Sequence, residues 1–320
     1  MKKCVPHTEE REFDMISLVG YTGFVGSNLA ESAKFDGLYN SKNIADAFGT
    51  KPDVLYYSGV PAQKFIANKF PEEDFKTVQN ALENIKKINP KKVVLISTVD
   101  VYRAPNGKDE TAFMETENLH PYGANRLWLE QQVMENFEDY LIVRLPGLYG
   151  KKLKKNFIFD YLTFLPSMLN GTKFAELCGK NSRVAEFYTL QENGFYTLNG
   201  DADKAQARKV FESVGFSALN FTDSRGVFQY YNLKYLYENI QTAIENGVKM
   251  LNIATQPVTI SEIYRTLTGK EFVNEIADVP PYYDFRTQHA QLFGGKDGYI
   301  QTAEFVLEDI KEYVEGMISK

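Results

Sequence analysis

The feature that most constrains this chain is a glycine-rich turn that joins a predicted strand to a predicted helix. The strand is Met15 to Val19, and it runs directly into GYTGFVG (residues 20–26). In such a turn the first glycine permits the sharp reversal, the second lets backbone N–H groups approach a pyrophosphate, and the third lets the helix lie close on the sheet. The turn predicts a dinucleotide site, and the alternative is a strand–helix turn without a ligand. The residues assigned to the site are Gly20, Thr22, Gly23, Phe24, Val25 and Gly26.

Short apolar runs alternate with amphipathic segments through the first half of the chain. The runs are continuous, as expected of strands that are buried on both faces. The predicted strands after the first are Gly37 to Asn40, Asp53 to Tyr57, Lys92 to Ile96 and Tyr140 to Val143. The predicted helices are Gly26 to Phe35, Phe75 to Ile88 and Tyr122 to Phe137. Strands alternating with helices predict an α/β fold with a Rossmann-type, doubly wound parallel sheet.

The alternation stops near Gly150, which suggests a division of the chain. Residues 1–14 are predicted as a polar N-terminal extension, residues 15–150 as the dinucleotide-binding domain, and residues 151–320 mainly as a smaller α/β substrate-binding portion. Some late segments are expected to return to the Rossmann sheet. Two late helices are predicted at Leu233 to Asn246 and Thr302 to Ile318.

Composition excludes several classes of function. Lys and Arg number 36 against 42 Asp and Glu, so the net charge of −6 gives no basic field for nucleic acid. The first apolar run is too short for a signal sequence or a membrane span. Cys4 and Cys178 form no metal or disulfide motif, and three scattered histidines predict no metal site. We therefore expect a cytoplasmic protein that binds neither nucleic acid nor membrane.

The identity of the cofactor depends on the turn after the second strand. A carboxylate there would bind the ribose 2′-hydroxyl of NAD, but the sequence has Ser41 and Lys42. A hydroxyl and a cation suit a 2′-phosphate, so NADP is preferred over NAD. Lys42 as an unpartnered surface lysine is an equal alternative. Ser58 and Gly59 follow the next strand and are also assigned to the cofactor.

A tyrosine and an arginine four residues apart begin the third predicted helix. Pro121 favours the helix start, so Tyr122 and Arg126 share one face and a cation can lie beneath the phenol. That charge would lower the phenol pKa towards neutrality, as a general acid/base requires. Ser97 or Thr98, at the end of a strand, would hold the substrate oxygen. Taken alone, the pair favours a packing tyrosine with a solvated arginine, because this spacing has no intrinsic specificity.

Four motifs in order resemble the extended short-chain dehydrogenase/reductase family. They are GYTGFVG, ISTVDVY (residues 96–102), PYGANR (121–126) and VRLPGLYG (143–150), which together imply similarity over nearly the whole chain. The resemblance implies an NAD(P)-dependent enzyme in which Thr98 polarises the substrate oxygen and Tyr122 is the acid/base. It places Arg126 where the family has lysine, so that its charge would favour a tyrosinate and its guanidinium would bind the nicotinamide ribose of the cofactor. It places Pro146 with Gly147 near the nicotinamide. Arginine stays protonated, so it would not relay a proton.

The sequence departs from the family in one element, and the resemblance implies a class of substrate. The segment from Asn43 to Pro52 leaves little room for a full helix. Hydride transfer at a hydroxyl or keto carbon of a nucleotide sugar is implied, as a reductase or an epimerase. Dehydration ranks lowest because Asp100 is a poor substitute for its acid and base. Substrate-binding candidates are Ser97, Lys154, Lys155, Asn156, Arg225 and Arg286, although a solvated lysine patch is the alternative.

Two further expectations remain open. A noncatalytic sensor or scaffold that binds a dinucleotide is the competing function, and the arginine at position 126 is its best support. A homodimer is the second expectation, by family analogy alone. It would form through the helix that carries the tyrosine and the helix before it, with Trp128 and Met134 adding apolar surface.

Overall fold

The computed structural model describes residues 15–319, so the predicted extension at residues 1–14, with Cys4 and His7, lies outside the described residues. The strands are β1 (Ile16–Val19), β2 (Gly37–Tyr39), β3 (Val54–Tyr57), β4 (Lys92–Thr98), β5 (Tyr140–Leu145), β6 (Gly147–Tyr149), β7 (Met168–Asn170), β8 (Tyr188–Leu190), β9 (Phe195–Leu198), β10 (Val227–Phe228), β11 (Tyr230–Asn232), β12 (Met250–Asn252) and β13 (Val258–Thr259). The helices are α1 (Phe24–Ser32), α2 (Lys64–Lys69), α3 (Pro71–Ile88), α4 (Pro121–Asn136), α5 (Phe157–Thr163), α6 (Gly171–Lys180), α7 (Lys204–Ser213), α8 (Leu236–Glu245), α9 (Ile260–Thr268) and α10 (Ala303–Ile318). None of the helices in residues 15–319 is long and apolar enough to cross a membrane.

The chain divides into two compact units. The first contains the described residues through Lys151 together with Leu233–Ala254 and Phe285–Ile300. The second contains Lys152–Asn232, Thr255–Asp284 and the described residues from Gln301 onward. The chain therefore leaves the first unit after Lys151 and returns to it twice.

A six-stranded parallel sheet organises the first unit. Its strand order is β12-β5-β4-β3-β1-β2, and every neighbouring pair is parallel. The predicted doubly wound sheet is thus confirmed. From β1 the chain moves to β2 on one side and then to β3 on the other, and ligands of such sheets bind at this reversal, outside the carboxyl ends of the strands.

Helices cover the sheet because its strands are apolar on both faces. Leu55 and Val93 are fully buried, and they pack in one cluster with Val78 and Ile85 of α3 and Val133 of α4. Trp128 and Met134, expected at a dimer surface, pack against this same cluster, and the Trp128 ring meets Phe75 edge-on at 4.9 Å. These two side chains therefore contribute to the core of the unit.

The segment that follows β2 is short, as the sequence predicted. A single 3-10 turn, Ile44–Ala47, occupies the position of a full helix. Ala47 is buried, and the chain reaches β3 within seven residues of that turn. The outer edge of the sheet beside β2 therefore carries little covering structure.

The second unit has small antiparallel sheets. Strands β7 and β8 both pair with β9, and β10 pairs with β13. A separate apolar cluster forms its core, in which Leu177, Val184 and Phe211 are fully buried. Both late helices that the sequence predicted are present: α10 lies in this unit and α8 in the first.

A buried carboxylate in the second unit makes stability depend on pH. Burial raises the pKa of Asp160, in the first turn of α5, to about 6. An acid whose folded-state pKa exceeds its unfolded value loses stability as pH rises between the two, here from about 4 to about 6. We expect Asp160→Asn to stabilise the protein by about 1–2 kcal/mol at pH 7.5 and to change nothing at pH 4. Urea unfolding at both pH values measures this, with exposed Asp201→Asn as the control; equal effects at both would contradict it.

Candidate active site

The predicted cofactor residues of the first unit meet at one edge of the sheet. Gly20 follows β1, Ser41 lies just beyond β2, Ser58 follows β3, Thr98 ends β4 and Pro146 follows β5. These strands are neighbours in the sheet, so their carboxyl ends lie side by side. Gly59, Lys42 and Gly147 are adjacent in sequence to these positions, and Gly59 and Gly147 are exposed.

The glycine turn is packed so closely that only glycine fits at two of its positions. Gly20 has a φ of +92°, and a Cβ there would lie 2.5 Å from the Ser58 carbonyl oxygen. A Cβ on Gly26 would lie 2.2 Å from the Gly20 carbonyl oxygen. No side chain caps α1 at Gly23, so the N–H groups of its first turn, at Phe24 and Val25, remain directed at the space before the helix. This cradle suits a pyrophosphate.

Asn28 is a residue of this turn that the sequence analysis missed. Its side-chain amide donates to the carbonyl oxygens of Phe24 (2.8 Å) and Lys151 (2.9 Å), and its Oδ1 accepts from the Lys151 backbone N–H at 3.1 Å. Asn28 therefore ties the start of α1 to the loop after β6. The signal available in the sequence was a polar asparagine two residues after the third glycine, within the predicted helix.

The turn after β2 presents Ser41 and Lys42 to solvent. Asn40 and Asn43 shape it: the Asn40 side chain accepts from the Lys42 N–H, and Asn43 accepts from the Asn40 N–H, both at 2.8 Å. The carboxylate of Asp36, at the other end of β2, accepts from the Ile16 N–H. The turn itself has a hydroxyl and a cation, as the sequence indicates.

Tyr122 reaches the end of β4 because α4 begins against the turn that follows that strand. Gly123 permits the approach, since a Cβ there would lie 2.1 Å from the Asp100 carbonyl oxygen. The Tyr122 backbone N–H donates to Asn68 Oδ1 at 2.9 Å. The Tyr122 phenol is buried, and Thr98 lies close enough to lower its pKa. The structure therefore brings Tyr122 and Thr98 together at the end of β4.

Arg126 lies under the Tyr122 ring, and its guanidinium is hydrogen-bonded to groups outside the helix that carries Tyr122. Its guanidinium carbon is 4.0 Å from the ring centroid. Nη1 donates to the Asp74 carboxylate in α3, and Nη2 donates to the Pro61 carbonyl oxygen at 2.7 Å. The side chain is 5% exposed. Its charge is thus paired with a carboxylate that the sequence analysis did not identify.

The expected lowering of the Tyr122 pKa is wrong in this structure. Burial raises the pKa of the phenol above its usual 10, and this outweighs the opposite influence of Arg126. Asp100 raises the pKa further, while Thr98 and Lys64 lower it. The sequence argument counted the nearby cation but not the loss of water around a buried phenol, which penalises its charged form.

Three more polar side chains surround the phenol. Lys64, the first residue of α2, pairs with Asp100 at 2.7 Å. His120 stacks on Tyr122 with ring centroids 6.2 Å apart, and its Nδ1 accepts from the Gly123 N–H at 3.0 Å. Burial lowers the pKa of His120, and Lys64 lowers it further. Lys64 lies outside every motif of the sequence, so only the fold reveals it.

The predicted substrate residues are spread over both units, and the polar groups of Ser97 and Arg225 are paired with carboxylates. The hydroxyl of buried Ser97 donates to the Glu130 carboxylate. Arg225 pairs with Asp223 at 2.8 Å and with Glu275 at 3.0 Å, and it donates to the Ala277 carbonyl oxygen at 2.6 Å. These contacts disfavour Ser97 and Arg225 as substrate ligands, because the Ser97 hydroxyl and the Arg225 guanidinium already bind carboxylates of the protein.

The other four substrate candidates are exposed or half-buried. Lys154 and Lys155 are exposed, and Asn156 caps α5 by accepting from the Phe159 N–H at 3.2 Å. These three lie in the second unit, whereas Arg286 lies in the first, with its guanidinium 4.0 Å from the Tyr299 ring centroid. Among the residues from 15 to 319, no cluster of three side chains could hold a metal ion.

Comparison with known proteins agrees with this architecture. Residues 37–177, somewhat under half of the chain, match the model of the NAD dependent epimerase/dehydratase family. No curated protein sequence shows a significant match. A solved UDP-galactose 4-epimerase has a TM-score of 0.60 at 15% identity, covering 95% of this chain and 98% of that one. A dTDP-4-dehydrorhamnose reductase from Bacillus anthracis, in complex with NADP, has a TM-score of 0.60 at 16% identity, with 94% and 98% covered.

A third solved structure extends the range of related chemistry. It is a GDP-D-glycero-L-gluco-heptose synthase from Campylobacter jejuni, crystallised in the presence of NADPH. Its TM-score is 0.59 at 15% identity, and the alignment covers 95% of this chain and 98% of that one. At these identities the likeness establishes the fold. The resemblance that the four sequence motifs indicated is therefore confirmed.

Proposed function

Since this chain has the fold of the extended short-chain dehydrogenases/reductases and matches their epimerase/dehydratase family over residues 37–177, we propose that it is an NAD(P)-dependent reductase or epimerase acting on a hydroxyl or keto carbon of a nucleotide sugar. One observation carries the proposal: the start of α4 packs against the end of β4, which places the Tyr122 phenol beside Thr98 with Arg126 4.0 Å from its ring. A phenol held against a hydroxyl there can exchange a proton with a substrate oxygen.

The cofactor would lie across the ends of the central strands. The close packing of Gly20 and Gly26 leaves room for a pyrophosphate before α1, and Asn28 fixes the first turn of that helix. Ser58 and Gly59 would border the cofactor beyond β3, and Pro146 with Gly147 would face its nicotinamide end. The cofactor supplies hydride exchange at the nicotinamide ring, and the protein supplies position and protons.

Each side chain near the phenol has a distinct part in this reaction. Tyr122 would give the substrate oxygen a proton, or accept one, and Thr98 would hold that oxygen in place. Arg126 would orient the Tyr122 ring from below, since its guanidinium is fixed by Asp74 and Pro61. This role replaces the ribose contact and the lowered phenol pKa that the sequence predicted for Arg126.

Two features favour a nucleotide sugar as the substrate. The solved structures with this fold include a UDP-galactose 4-epimerase, a dTDP-4-dehydrorhamnose reductase and a GDP-D-glycero-L-gluco-heptose synthase. The exposed Lys154 and Lys155 of the second unit could bind a diphosphate, and Asn156 could add a hydrogen bond. Ser97 and Arg225 are excluded from this proposed set because their polar groups are paired.

Parallel fluorescence titrations with NADPH and NADH test the proposal. We expect NADPH to bind at least tenfold more tightly than NADH, because Ser41 and Lys42 would bind the 2′-phosphate. Lys42→Ala should reduce NADPH affinity about tenfold, as expected of one charge-assisted hydrogen bond, and should leave NADH binding unchanged. Exposed Lys34→Ala is the control for net charge. Failure to bind either dinucleotide would refute the enzyme proposal, and tighter NADH binding would refute the cofactor preference.

A dinucleotide-binding sensor is the second candidate. The raised pKa of Tyr122 and the neutralisation of Arg126 by Asp74 favour it, since a sensor needs no reactive phenol. The position of the Tyr122 phenol beside Thr98 at the carboxyl end of β4 favours the enzyme. Binding of NADPH without turnover on any 4-keto nucleotide sugar would support the sensor.

A further inference from the structure

The first turn of α4, which carries the tyrosine, is capped by a histidine. Pro121 is its first residue and has no N–H to satisfy. The Tyr122 N–H donates to an asparagine of α2 at 2.9 Å, and the Ala124 N–H donates to the His120 carbonyl oxygen at 3.0 Å. The Gly123 N–H donates to Nδ1 of the same histidine at 3.0 Å. Among the backbone donors of this turn, that of Gly123 is therefore the one whose partner titrates.

This cap lies where α4 packs most closely against the turn that follows β4. A Cβ on Gly123 would lie 2.1 Å from the Asp100 carbonyl oxygen, so the start of the helix has no spare room there. Gly123 is buried, and loss of its acceptor would leave a backbone N–H unpaired away from water. The His120 ring also stacks on the Tyr122 ring, with 6.2 Å between the centroids. The cap and the tyrosine thus belong to one tightly packed helix start.

We propose that His120 is a positioning residue: its neutral imidazole caps α4 and holds the Tyr122 phenol at the end of β4, and its protonation releases that helix start at acidic pH. An Nδ1 that accepts a hydrogen bond carries no proton, so the neutral ring has its proton on Nε2. Protonation then occurs at Nδ1 and removes the acceptor. It also places a positive charge at a helix N-terminus, where the helix dipole favours negative charge. The inference rests on the proposed function for its catalytic meaning.

The surroundings of His120 oppose its protonation. Burial is the largest influence and lowers its pKa below the usual 6.5. The cations of Lys64, in α2, and Arg126, in α4, lower the pKa as well, whereas the Asp100 carboxylate raises it. A group whose pKa is lowered by folding contributes stability that is complete above its unfolded value and is lost as pH falls through its folded value. The cap is therefore intact at pH 7.5 and is lost as pH falls through the lowered pKa of His120.

A ¹⁵N NMR titration of the full-length protein, without cofactor or substrate, tests the cap directly. The chain has three histidines, so the signals that disappear in His120→Asn identify the His120 ring. At pH 7.5 we expect Nδ1 unprotonated and Nε2 protonated. The Gly123 amide should titrate with the same midpoint as the ring, below that of a free histidine. A ring protonated on Nδ1 at pH 7.5, or a Gly123 amide that does not follow the ring, would overturn the inference.

Two variants separate the cap from the stacked ring. His120→Asn keeps an acceptor that does not titrate, since asparagine is a favoured residue at this position of a helix. His120→Phe keeps a ring without an acceptor, and its kcat should be about fivefold lower than that of the unmodified protein at pH 7.5. From pH 7.5 to one unit below the NMR midpoint, the unmodified protein should lose about fivefold in kcat, and His120→Asn less than about twofold. Equal acid losses in these two proteins would overturn the positioning role.

The matched control is His289→Asn. His289 stands at the corresponding position before the 3-10 turn Ala290–Phe293, but its side chain makes no capping hydrogen bond. Its replacement should change neither the Gly123 titration nor the pH profile of kcat, and an effect equal to that of His120→Asn would contradict the inference. Failure to bind NADPH would instead refute the proposed function, while the NMR titration still decides whether His120 caps α4.

Discussion

Replacing Tyr122 with phenylalanine is expected to reduce kcat by about 1000-fold while NADPH affinity changes by less than about twofold. The ring of the variant would still stack between Arg126, at 4.0 Å, and His120, so the start of α4 should keep its place. What is lost is the phenol oxygen that lies beside Thr98 and that would exchange a proton with the substrate. Steady-state turnover of 4-keto nucleotide sugars, alongside the NADPH titration, measures both quantities.

The matched control is Tyr140→Phe. Tyr140 begins β5 and packs at the edge of the core with Lys249 over its ring at 5.1 Å, away from the carboxyl ends of the strands. Its variant should keep full turnover. If Tyr122→Phe turns over as fast as the unmodified protein, Tyr122 is not the acid/base. If both NADPH binding and turnover fall together, the tyrosine positions the cofactor instead.

Local sequence patterns were sufficient to predict five of the six strands of the parallel sheet and the glycine turn, while β12, which enters the sheet late in the chain, was not located. The glycine turn was predictable because its three glycines follow β1 directly, within residues 20–26. The requirement for glycine at Gly20 and Gly26 comes from the shape of this short segment. Continuous apolar runs identified β3, β4 and β5 because both faces of these strands are covered. The five predicted helices match α1, α3, α4, α8 and α10 within a few residues, as helical periodicity allows, whereas α2, α5, α6, α7 and α9 were not predicted.

The partners of the site residues could not be read from the sequence because they come from distant segments. Arg126 and Asp74 are 52 positions apart, and Lys64 and Asp100 are 36 apart. Neither pair has a spacing that marks contact. The direction of the Tyr122 pKa shift could not be predicted from the sequence either, because it depends on how deeply the phenol is buried. A single sequence shows which charged residues lie near Tyr122 on the same helix. It does not show that a carboxylate from another helix pairs with one of them, as Asp74 does with Arg126.

The structure also contains a buried ion pair behind the site, between Glu130 of α4 and Arg144 of β5. Their side chains are 0% and 1% exposed. Arg144 Nη2 donates to Glu130 Oε2 at 2.6 Å, its Nε lies 3.1 Å from both carboxylate oxygens, and its Nη1 donates to the Tyr102 hydroxyl at 2.7 Å. Ser97 donates to the same carboxylate. Residues on either side of Thr98 are thus held by one polar network.

Glu130→Ala is expected to lower the free energy of unfolding by about 3–5 kcal/mol, because it leaves the Arg144 charge buried without a partner. Urea unfolding measures the loss. The control is Glu212→Ala, which removes a carboxylate from an exposed helical pair with Arg208 and should cost less than about 0.5 kcal/mol. The double variant Glu130→Leu/Arg144→Met should recover most of the loss, since an apolar pair of similar volume needs no charge partner. A loss below about 1 kcal/mol in Glu130→Ala would mean that water reaches Arg144 when the carboxylate is removed, and the network would then be a solvated feature of the site, not a rigid support for β4.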